Sequence, residues 1–380
     1  MSSDDRSWHR PGFPELRDGP PWVMEEMILA QSGLADAILE APLSGSEALA
    51  AGIARAAEAG EPIVVTGCGT SEHGALAVSA LLAEALGGSP ARSRPEARQA
   101  LDAALDPRLG GICIGISHEG TTRATILALE AARGAGAVTA SIGAQAGSPL
   151  AARAEHALTT PLVDRSWCHT VAYTSTILAG ASVARALAGG QSGAGAAVDR
   201  TLALRPQLRR LAEHVHGASR ILTVGLGADQ ITARELALKI EEGARIATTA
   251  LHLETLLHGH LAGCDAETTA VVLFAADSRQ GARRDTRLAA AAGATRTIGM
   301  PTIAIGGEAA LAGLPDGVES LAIPAAADAQ PLQALLSGAL ALQLLTLELT
   351  ALAGCNPDLI RREQRAYREA AAVAENRADW

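Results

Sequence analysis

Short apolar runs rich in β-branched residues alternate along this chain with longer stretches in which apolar residues recur at helical spacing. The runs predict buried strands at residues 63–65, 112–117, 138–143, 157–163, 221–227, 269–276 and 296–301. Helices are predicted at residues 22–41, 46–59, 121–134, 172–189, 201–216, 231–245, 282–292 and 331–353, with a further one directly after residue 71. Because strands and helices alternate twice over, the pattern predicts an α/β fold with two doubly wound parallel-sheet subdomains in tandem, as the halves of a structural repeat.

Loop and linker signals suggest where these parts begin and end. Residues 1–21 are polar and rich in Pro and Gly, which predicts an extended arm, and residues 87–99 predict a loop before another short helix. The Gly/Ala/Ser-rich stretch 189–199 predicts a linker between the halves. The expected boundaries are an N-terminal arm and helix over 1–45, a first subdomain over 46–200, a second over 201–355 and a C-terminal tail over 356–380.

Composition narrows the class of protein. The 380 residues carry a net charge of −10, which argues against nucleic acid or an anionic membrane as the main partner. Five scattered cysteines without CxxC spacing indicate reduced thiols in a cytoplasmic protein and no zinc site. We find neither a signal peptide nor an uninterrupted apolar run of about 20 residues. Polar residues interrupt the apolar segment 331–354, which therefore predicts a buried helix.

Two loops carry hydroxyl side chains at predicted strand ends. The first, Gly67-Cys68-Gly69-Thr70-Ser71, lies between a strand and a helix, where backbone N–H groups and hydroxyls favour an anion. The second contains Ser117, Thr121 and Thr122. Ligands of doubly wound sheets bind at the carboxyl ends of strands, so the two loops are expected to clamp one anion between them. The alternative is that the glycines of the first loop only make its turn.

The second half places ionisable residues on one helix face. Glu235, Lys239 and Glu242 share that face by i, i+4 and i, i+3 spacing, and Lys239 is the sole lysine of the chain. A carboxylate beside an ammonium near a pocket suits proton transfer at a substrate carbon. The alternative is a solvated ion-pair face with a surface lysine.

Three histidines and a glutamate follow within nine residues. They are His252, Glu254, His258 and His260, and their spacing fits no HExxH pattern. No metal ligation is therefore expected from this cluster.

Taken together, several motifs over residues 22–360 resemble the sugar isomerase (SIS) domain family, in particular the two-SIS isomerase half of glucosamine-6-phosphate synthase and related phosphosugar isomerases and deaminases. GCGTSEH resembles the family's C-G-T-S-x-H loop, and VAYTS resembles its V-A-S-T segment. GADQITARELALKIEE resembles G-D-Q-Y-x-x-A-x-E-G-A-L-K-L-K-E, with His258-Gly259 at the spacing of the family's H-G. MEEMILAQ resembles the family's N-terminal E-I-x-E-Q helix. The resemblance implies two flavodoxin-like sandwiches in tandem.

The resemblance also implies roles for individual residues. Glu242 would shuttle a proton between C1 and C2 of an open-chain sugar, beside Lys239, which would hold its charge state. His258 would assist ring opening from the other subunit of a homodimer. The substrate-binding residues implied are Gly69, Thr70, Ser71, Ser117, His118, Glu119, Thr122 and Val171, with Ser71, Ser117 and Thr122 on the phosphate. No cofactor and no metal are implied.

The chain departs from the family at two places. Its second loop reads Ser117-His118-Glu119-Gly120-Thr121-Thr122 where the family has S-x-S-G-x-T, so a carboxylate replaces a serine beside the expected phosphate. Either Glu119 turns outward, or the ligand is an amino or otherwise modified sugar. No lysine follows Lys239, so the family synthase's tail lysine is absent. Arg361 and Arg362 either reach an anion there or, as the favoured interpretation, form a charged helix surface.

The expected function is therefore that of a cytoplasmic homodimeric enzyme acting on a phosphosugar or amino-sugar phosphate. It would isomerise an aldose and ketose or carry out an isomerising deamination, without glutamine-dependent amide transfer. One alternative is a fructosamine-phosphate deglycase, which uses the same proton chemistry. Another is a non-catalytic regulatory protein that binds a sugar phosphate.

Overall fold

The computed structural model describes residue 15 and residues 17–88, 91–189, 194–325 and 330–375. Its strands are β1 (Ile63–Gly67), β2 (Pro95–Gln99), β3 (Ile112–Ile116), β4 (Val138–Gly143), β5 (His156–Thr159), β6 (Arg220–Gly225), β7 (Ala247–His252), β8 (Thr269–Ala275), β9 (Thr302–Gly306) and β10 (Glu319–Ala322). The first-half helices are α1 (Val23–Leu29), α2 (Leu34–Glu40), α3 (Ser46–Ala59), α4 (Thr70–Ala85), α5 (Ala100–Leu105), α6 (Arg123–Gly134), α7 (Val171–Ala188) and α8 (Ala194–Leu202). The others are α9 (Arg205–Val215), α10 (Ala228–Gly243), α11 (Leu253–Leu257), α12 (Gly281–Ile298), α13 (Glu308–Leu311), α14 (Leu332–Ala353) and α15 (Arg365–Glu375).

The strands form two parallel five-stranded sheets with the same topology. The first has the order β2-β1-β3-β4-β5. Read from its other edge, the second has the order β7-β6-β8-β9-β10, so each second-half strand takes the position of the corresponding first-half strand. The turns after the first strand of each half also agree, since Gly69 has φ 57° and ψ −126° and Gly227 has φ 63° and ψ −126°. The predicted tandem repeat of doubly wound subdomains is confirmed.

A core of small aliphatic side chains joins the parts of the fold. One cluster of buried residues includes Met24 of α1, Ile177 of α7, Leu236 of α10 and Leu340 of α14, together with strand residues of the second sheet such as Val272. With aromatics at only 2% of the chain, this core is built mainly from Ala, Leu, Val and Ile, as the composition indicates. The N-terminal helices are thereby packed against the long helix α14.

Two helices are long and apolar enough to cross a membrane by length and composition alone. They are Val171–Ala188 and Leu332–Ala353, and 72% and 89% of their most apolar windows are buried inside the fold. A core helix of a globular protein has this character, and the buried helix predicted for residues 331–353 is confirmed.

Three predicted elements differ from the structure. The single helix expected over 22–41 is two helices, because Gly33 adopts φ +72° at the start of α2. The linker expected over 189–199 contains the start of α8, while its residues 190–193 lie outside the described part. The strand expected over 296–301 is wrong: α12 continues to Ile298, Gly299 ends it with φ +92°, and β9 follows.

Besides β9, an internal strand that the misplaced strand over 296–301 left unpredicted, three strands were missed, and these three lie at sheet edges. β2 and β10 have no fully buried residue, and β7 has one. An edge strand that is half exposed need not show an apolar run, so periodicity gives it no signal. Most of the predicted arm over 1–21 lies outside the described residues.

Candidate active site

Both predicted anion loops open on one cleft of about 290 Å³. The residues that line the cleft are Cys68, Gly69, Thr70, Ser71, Ser117, His118, Glu119, Thr121, Thr122, Trp167, His169, Glu242, Ile360 and Arg362. The loops follow β1 and β3, which are neighbouring parallel strands, so their carboxyl ends meet at the same sheet edge. The cleft therefore combines first-half loops with a second-half helix and the C-terminal tail.

The first loop is shaped by close packing against the start of α4. A Cβ on Gly67 would lie 2.5 Å from the Ser71 carbonyl oxygen, so only glycine fits there. The helix begins at Thr70 without a side-chain cap, and the N–H groups of Ser71, Glu72 and His73 donate to the Cys68 and Gly69 carbonyls. The Thr70 hydroxyl donates to Glu235 Oε1 at 3.1 Å, so this hydroxyl is directed toward the second half of the chain.

Three side chains of the second loop are held by hydrogen bonds. Ser117 Oγ lies 3.0 Å from Thr122 Oγ1, and Thr122 stands at the uncapped start of α6. His118 turns inward, where its Nε2 accepts a hydrogen bond of 2.7 Å from the Asp164 N–H. Burial and the nearby His169 ring lower the pKa of His118 to about 4, so the imidazole is neutral.

Glu119 lies at the cleft wall rather than being paired away from it. It is partly exposed, and within the described part of the chain it forms no ion pair. The neighbouring His118 is bonded to the Asp164 backbone N–H and not to Glu119.

Glu242 reaches the cleft from α10 above a buried ionic network. Its carboxylate is paired with the ammonium of Lys239, whose side chain is fully buried. Lys239 Nζ also lies 3.7 Å from Glu235 Oε1, and Glu235 Oε2 accepts a hydrogen bond of 2.6 Å from His73 Nδ1. Lys239 therefore does not lie on a solvated surface, and the network links Glu242 to the Thr70 loop.

The charge state of the network follows from its burial. Burial raises the pKa of Glu242, and the Lys239 ammonium opposes that rise. Burial alone would lower the pKa of Lys239, but Glu242 and Glu235 more than offset this and raise it. Lys239 is thus a permanent cation held between two carboxylates.

Three cleft residues were not identified from the sequence, and a fourth, Arg362, was given there only as an alternative. Trp167 and His169 lie in the irregular segment before α7, and Ile360 and Arg362 lie in the tail before α15. These segments have no periodicity, so hydrophobic patterning gives no signal for them. Arg362 Cζ lies 4.7 Å from the centroid of the Trp167 ring, which corrects the favoured interpretation of Arg362 as helix surface.

Besides the buried Lys239, two predicted site residues lie outside the cleft lining. The His258 side chain is 74% exposed, and its Nε2 lies 3.3 Å from Glu254 Oε2. Val171 is fully buried as the first residue of α7. Their assigned roles remain predictions.

Part of the chain matches a known domain family in sequence. The SIS domain family model matches residues 58–189, the region that carries both hydroxyl loops. Residues 58–189 form a SIS domain. No curated protein matches the chain.

Solved structures resemble nearly the whole chain at low sequence identity. The C-terminal domain of glucosamine-fructose-6-phosphate aminotransferase from Francisella tularensis aligns with a TM-score of 0.76 and 18% identity, covering 90% of this chain and 99% of that one. Tagatose-6-phosphate ketose/aldose isomerase from Escherichia coli gives 0.72 and 20%, covering 91% and 97%. Glucosamine-6-phosphate deaminase from Thermotoga maritima gives 0.68 and 17%, covering 88% and 96%. At these identities the likeness shows the fold.

In the second subdomain, the loop equivalent to the Ser71 loop carries a carboxylate of the protein itself, that of Asp229. Asp229 stands four residues after the end of β6, as Ser71 does after β1. Its carboxylate accepts the N–H groups of Ala276 and Asp277 at 2.8 and 3.0 Å and pairs with Arg284. Burial raises the pKa of Asp229 to about 6. The loops of the SIS domain over 58–189 lack such an internal anion and remain open to a ligand.

In the histidine cluster after α10, Glu254 and His252 already have partners within the protein. Glu254 forms an ion pair with Arg287 at 2.5 Å, and His252 Nδ1 accepts the Glu254 N–H at 3.2 Å. Across the described residues, no three His, Cys, Asp or Glu side chains are grouped so as to hold a metal ion. All five cysteines are free thiols.

We expect the buried imidazoles beside the cleft to make the SIS fold sensitive to acid. Burial lowers the pKa of His118 and of His169 to about 4, below the ordinary value of 6.5. The unfolded chain binds protons first as the pH falls below 6.5, so stability is full above that pH and decreases toward 4. Each histidine should remove about 2 kcal/mol of unfolding free energy between pH 7 and pH 5.

Denaturant melts of H118Q at pH 7 and pH 5 test this. Glutamine still accepts from the Asp164 N–H but does not titrate, so H118Q should lose less stability between the two pH values than the wild type does. H214Q, at an exposed histidine of α9, is the matched control and should behave as the wild type. Asp229, with its raised pKa, works in the opposite direction in all three proteins and cancels in the comparison. An H118Q profile that parallels the wild type would contradict the prediction.

Proposed function

We propose that this chain is a sugar-phosphate isomerase or isomerising deaminase that moves a proton between C1 and C2 of an open-chain sugar. The observation that carries the proposal is the Glu242 carboxylate, 21% exposed at the cleft and held by the buried ammonium of Lys239. Hydroxyl groups of Ser71, Ser117 and Thr122 line the same cleft, where a phosphate would lie. The double-SIS fold and its phosphosugar-enzyme counterparts support this chemistry.

In the proposed mechanism Glu242 acts as the base. It removes the proton from C2 of an aldose, the electron pair of that C–H bond forms the C1–C2 double bond, and the carbonyl oxygen on C1 takes a proton from solvent, which gives an enediol. The enediol then returns its O2 proton to solvent as the C2 carbonyl forms, C1 takes the proton held by Glu242, and a ketose results. A base for this step is most effective with a pKa near the working pH, and the burial that raises the pKa of Glu242 moves it in that direction.

The proposal extends to a homodimer in which His258 of one subunit completes the cleft of the other. The 74% exposure of the His258 side chain and its position outside the cleft lining support a role toward a second chain. There it would exchange a proton with the ring oxygen as the sugar opens.

Two alternatives use the same cleft. A fructosamine-phosphate deglycase would start with the same proton transfer from C1 or C2. A non-catalytic protein that binds a sugar phosphate and regulates a partner is favoured by Glu119, whose carboxylate lies beside the loop expected to bind phosphate.

A melting-shift screen followed by proton exchange separates these functions. The screen uses hexose 6-phosphates, hexosamine 6-phosphates, fructosamine phosphates and the corresponding unphosphorylated sugars. Sugars that raise the melting temperature are then incubated with the protein in deuterated water, and NMR follows the C2 proton of aldoses and the C1 protons of fructosamines. The proposal predicts loss of the C2 proton signal together with formation of the isomer, with ammonia released if the reaction is a deamination. A sugar that binds without any exchange would favour the regulatory protein and overturn the enzyme.

A further inference from the structure

The tail segment 356–364 is fastened into the fold on several sides before it reaches the cleft. The buried Asp358 carboxylate accepts the N–H groups of Val23 and Met24 at 2.8 and 2.7 Å, which caps α1. The Asp358 carbonyl accepts the Trp167 N–H at 3.0 Å, so the tail is tied directly to the segment that lines the cleft. Glu363 adds an ion pair with Arg245.

Between these anchors the backbone takes an unfavourable conformation. Ile360 has φ +42° and Arg361 has φ +68°, and a β-branched residue in the left-handed region is a genuine outlier. Conformations of this kind persist where the surroundings fix them, and they are concentrated at ligand-binding sites. Here the turn brings Ile360 and Arg362 to the cleft wall, while Arg361 Cζ lies 4.0 Å from the Tyr367 ring centroid.

Arg362 differs in the sign of its charge from the carboxylates that line the cleft. Among the side chains that line the cleft in the described part of the chain, Glu119 and Glu242 are acidic and Arg362 is the basic one. The His118 and His169 rings are neutral at pH 7, because burial lowers the pKa of each to about 4. Lys239 is neutralised below by its two carboxylates. A phosphate dianion therefore needs a cation from the tail to offset the two carboxylates.

We infer that Arg362 is the anion-binding residue of this cleft and selects phosphorylated over unphosphorylated sugars. The tail anchors hold its guanidinium over the Trp167 ring, with the loops of Ser71 and Ser117 lining the same cleft. A guanidinium donates two hydrogen bonds in parallel to phosphate oxygens, which a single ammonium does not. This inference rests on the proposed sugar-phosphate chemistry but concerns recognition rather than the proton transfer.

Neighbouring arginines provide a matched pair of variants. R362M keeps an unbranched side chain on Trp167 and removes the charge, R361M makes the same change outside the cleft lining, and R362K restores a charge without the planar fork. Affinity for inorganic phosphate is measured by calorimetric titration of the full chain, and KM and kcat are measured for any sugar phosphate that turns over. A melting temperature for each variant reports whether the tail remains folded.

We expect R362M to bind phosphate about tenfold to a hundredfold more weakly, the range for losing a hydrogen-bonded charged partner. KM for the phosphorylated sugar should rise by a similar factor with a smaller change in kcat, R362K should recover part of the loss, and R361M should match the wild type. The inference is overturned if the wild type binds no phosphate, if R362M binds it as well as the wild type, or if R361M and R362M weaken it equally. The phosphate titration needs no turnover, so the two proposals can fail separately. If no sugar is isomerised, the proposed function is overturned, while the titration still decides whether Arg362 binds phosphate.

Discussion

E242Q should lose turnover by about a hundredfold to ten-thousandfold, because an amide has no basic oxygen to take the proton from carbon. Glutamine keeps the size of the side chain and its carbonyl oxygen still accepts from Lys239, so binding of the sugar phosphate should change little. The loss should therefore appear in kcat with a nearly unchanged KM, which is the pattern of an interaction made in the transition state. Proton exchange at C2 should fall by the same factor, since it needs the same base.

E241Q is the control for this variant. Glu241 is the next residue of α10, but it is exposed and its carboxylate accepts the Thr248 N–H at 3.1 Å rather than facing the cleft. Both variants remove one negative charge from the same turn, so only the position differs. If E242Q exchanges the C2 proton at the wild-type rate, Glu242 is not the base, and the assignment of the reaction must move to another residue.

The sequence predicted those parts of the site that regular elements position. Ser71 and Ser117 follow apolar runs that form neighbouring parallel strands, so topology alone brings their loops together. Helical spacing placed Lys239 and Glu242 on one face, as the structure has them. Helical spacing does not determine whether that face is exposed to solvent or buried, because burial depends on helices far away in sequence.

Residues in irregular segments were beyond prediction for a different reason. Trp167 and His169 reach the cleft through long-range bonds such as that of the Trp167 N–H to Asp358, which joins residues 191 positions apart. No local propensity specifies such a bond. The edge strand β2 was missed on similar grounds, since its partly exposed residues obtain their strand conformation from pairing with β1.

K239M should destabilise the fold by about 3–5 kcal/mol, the usual cost of removing one partner of a buried ion pair. Methionine fills the space of the lysine stem but leaves Glu235 and Glu242 close together without the cation that lies 3.7 Å from Glu235. Denaturant unfolding of the variant and the wild type measures the difference.

The pH dependence of that loss identifies its cause. Without Lys239 the pKa of Glu242 should rise further above its ordinary value, since burial already raises it and the ammonium opposes that rise. The folded variant then binds protons more tightly than the unfolded chain, so its deficit should be greatest at pH 8 and shrink as the pH falls toward 5. The acid limb of the activity profile should move to higher pH for the same reason.

The double variant E235Q/K239M separates stability from catalysis. Removing the second buried charge should recover part of the unfolding free energy, because one carboxylate fewer is left without a partner. It should not recover turnover, since Glu242 still lacks the ammonium that holds it ionised. A K239M protein with wild-type stability at pH 8 and an unshifted acid limb would show that the lysine does not control Glu242. Recovery of both quantities in the double variant would instead assign Lys239 to folding alone, with the charge state of Glu242 set by the cleft itself.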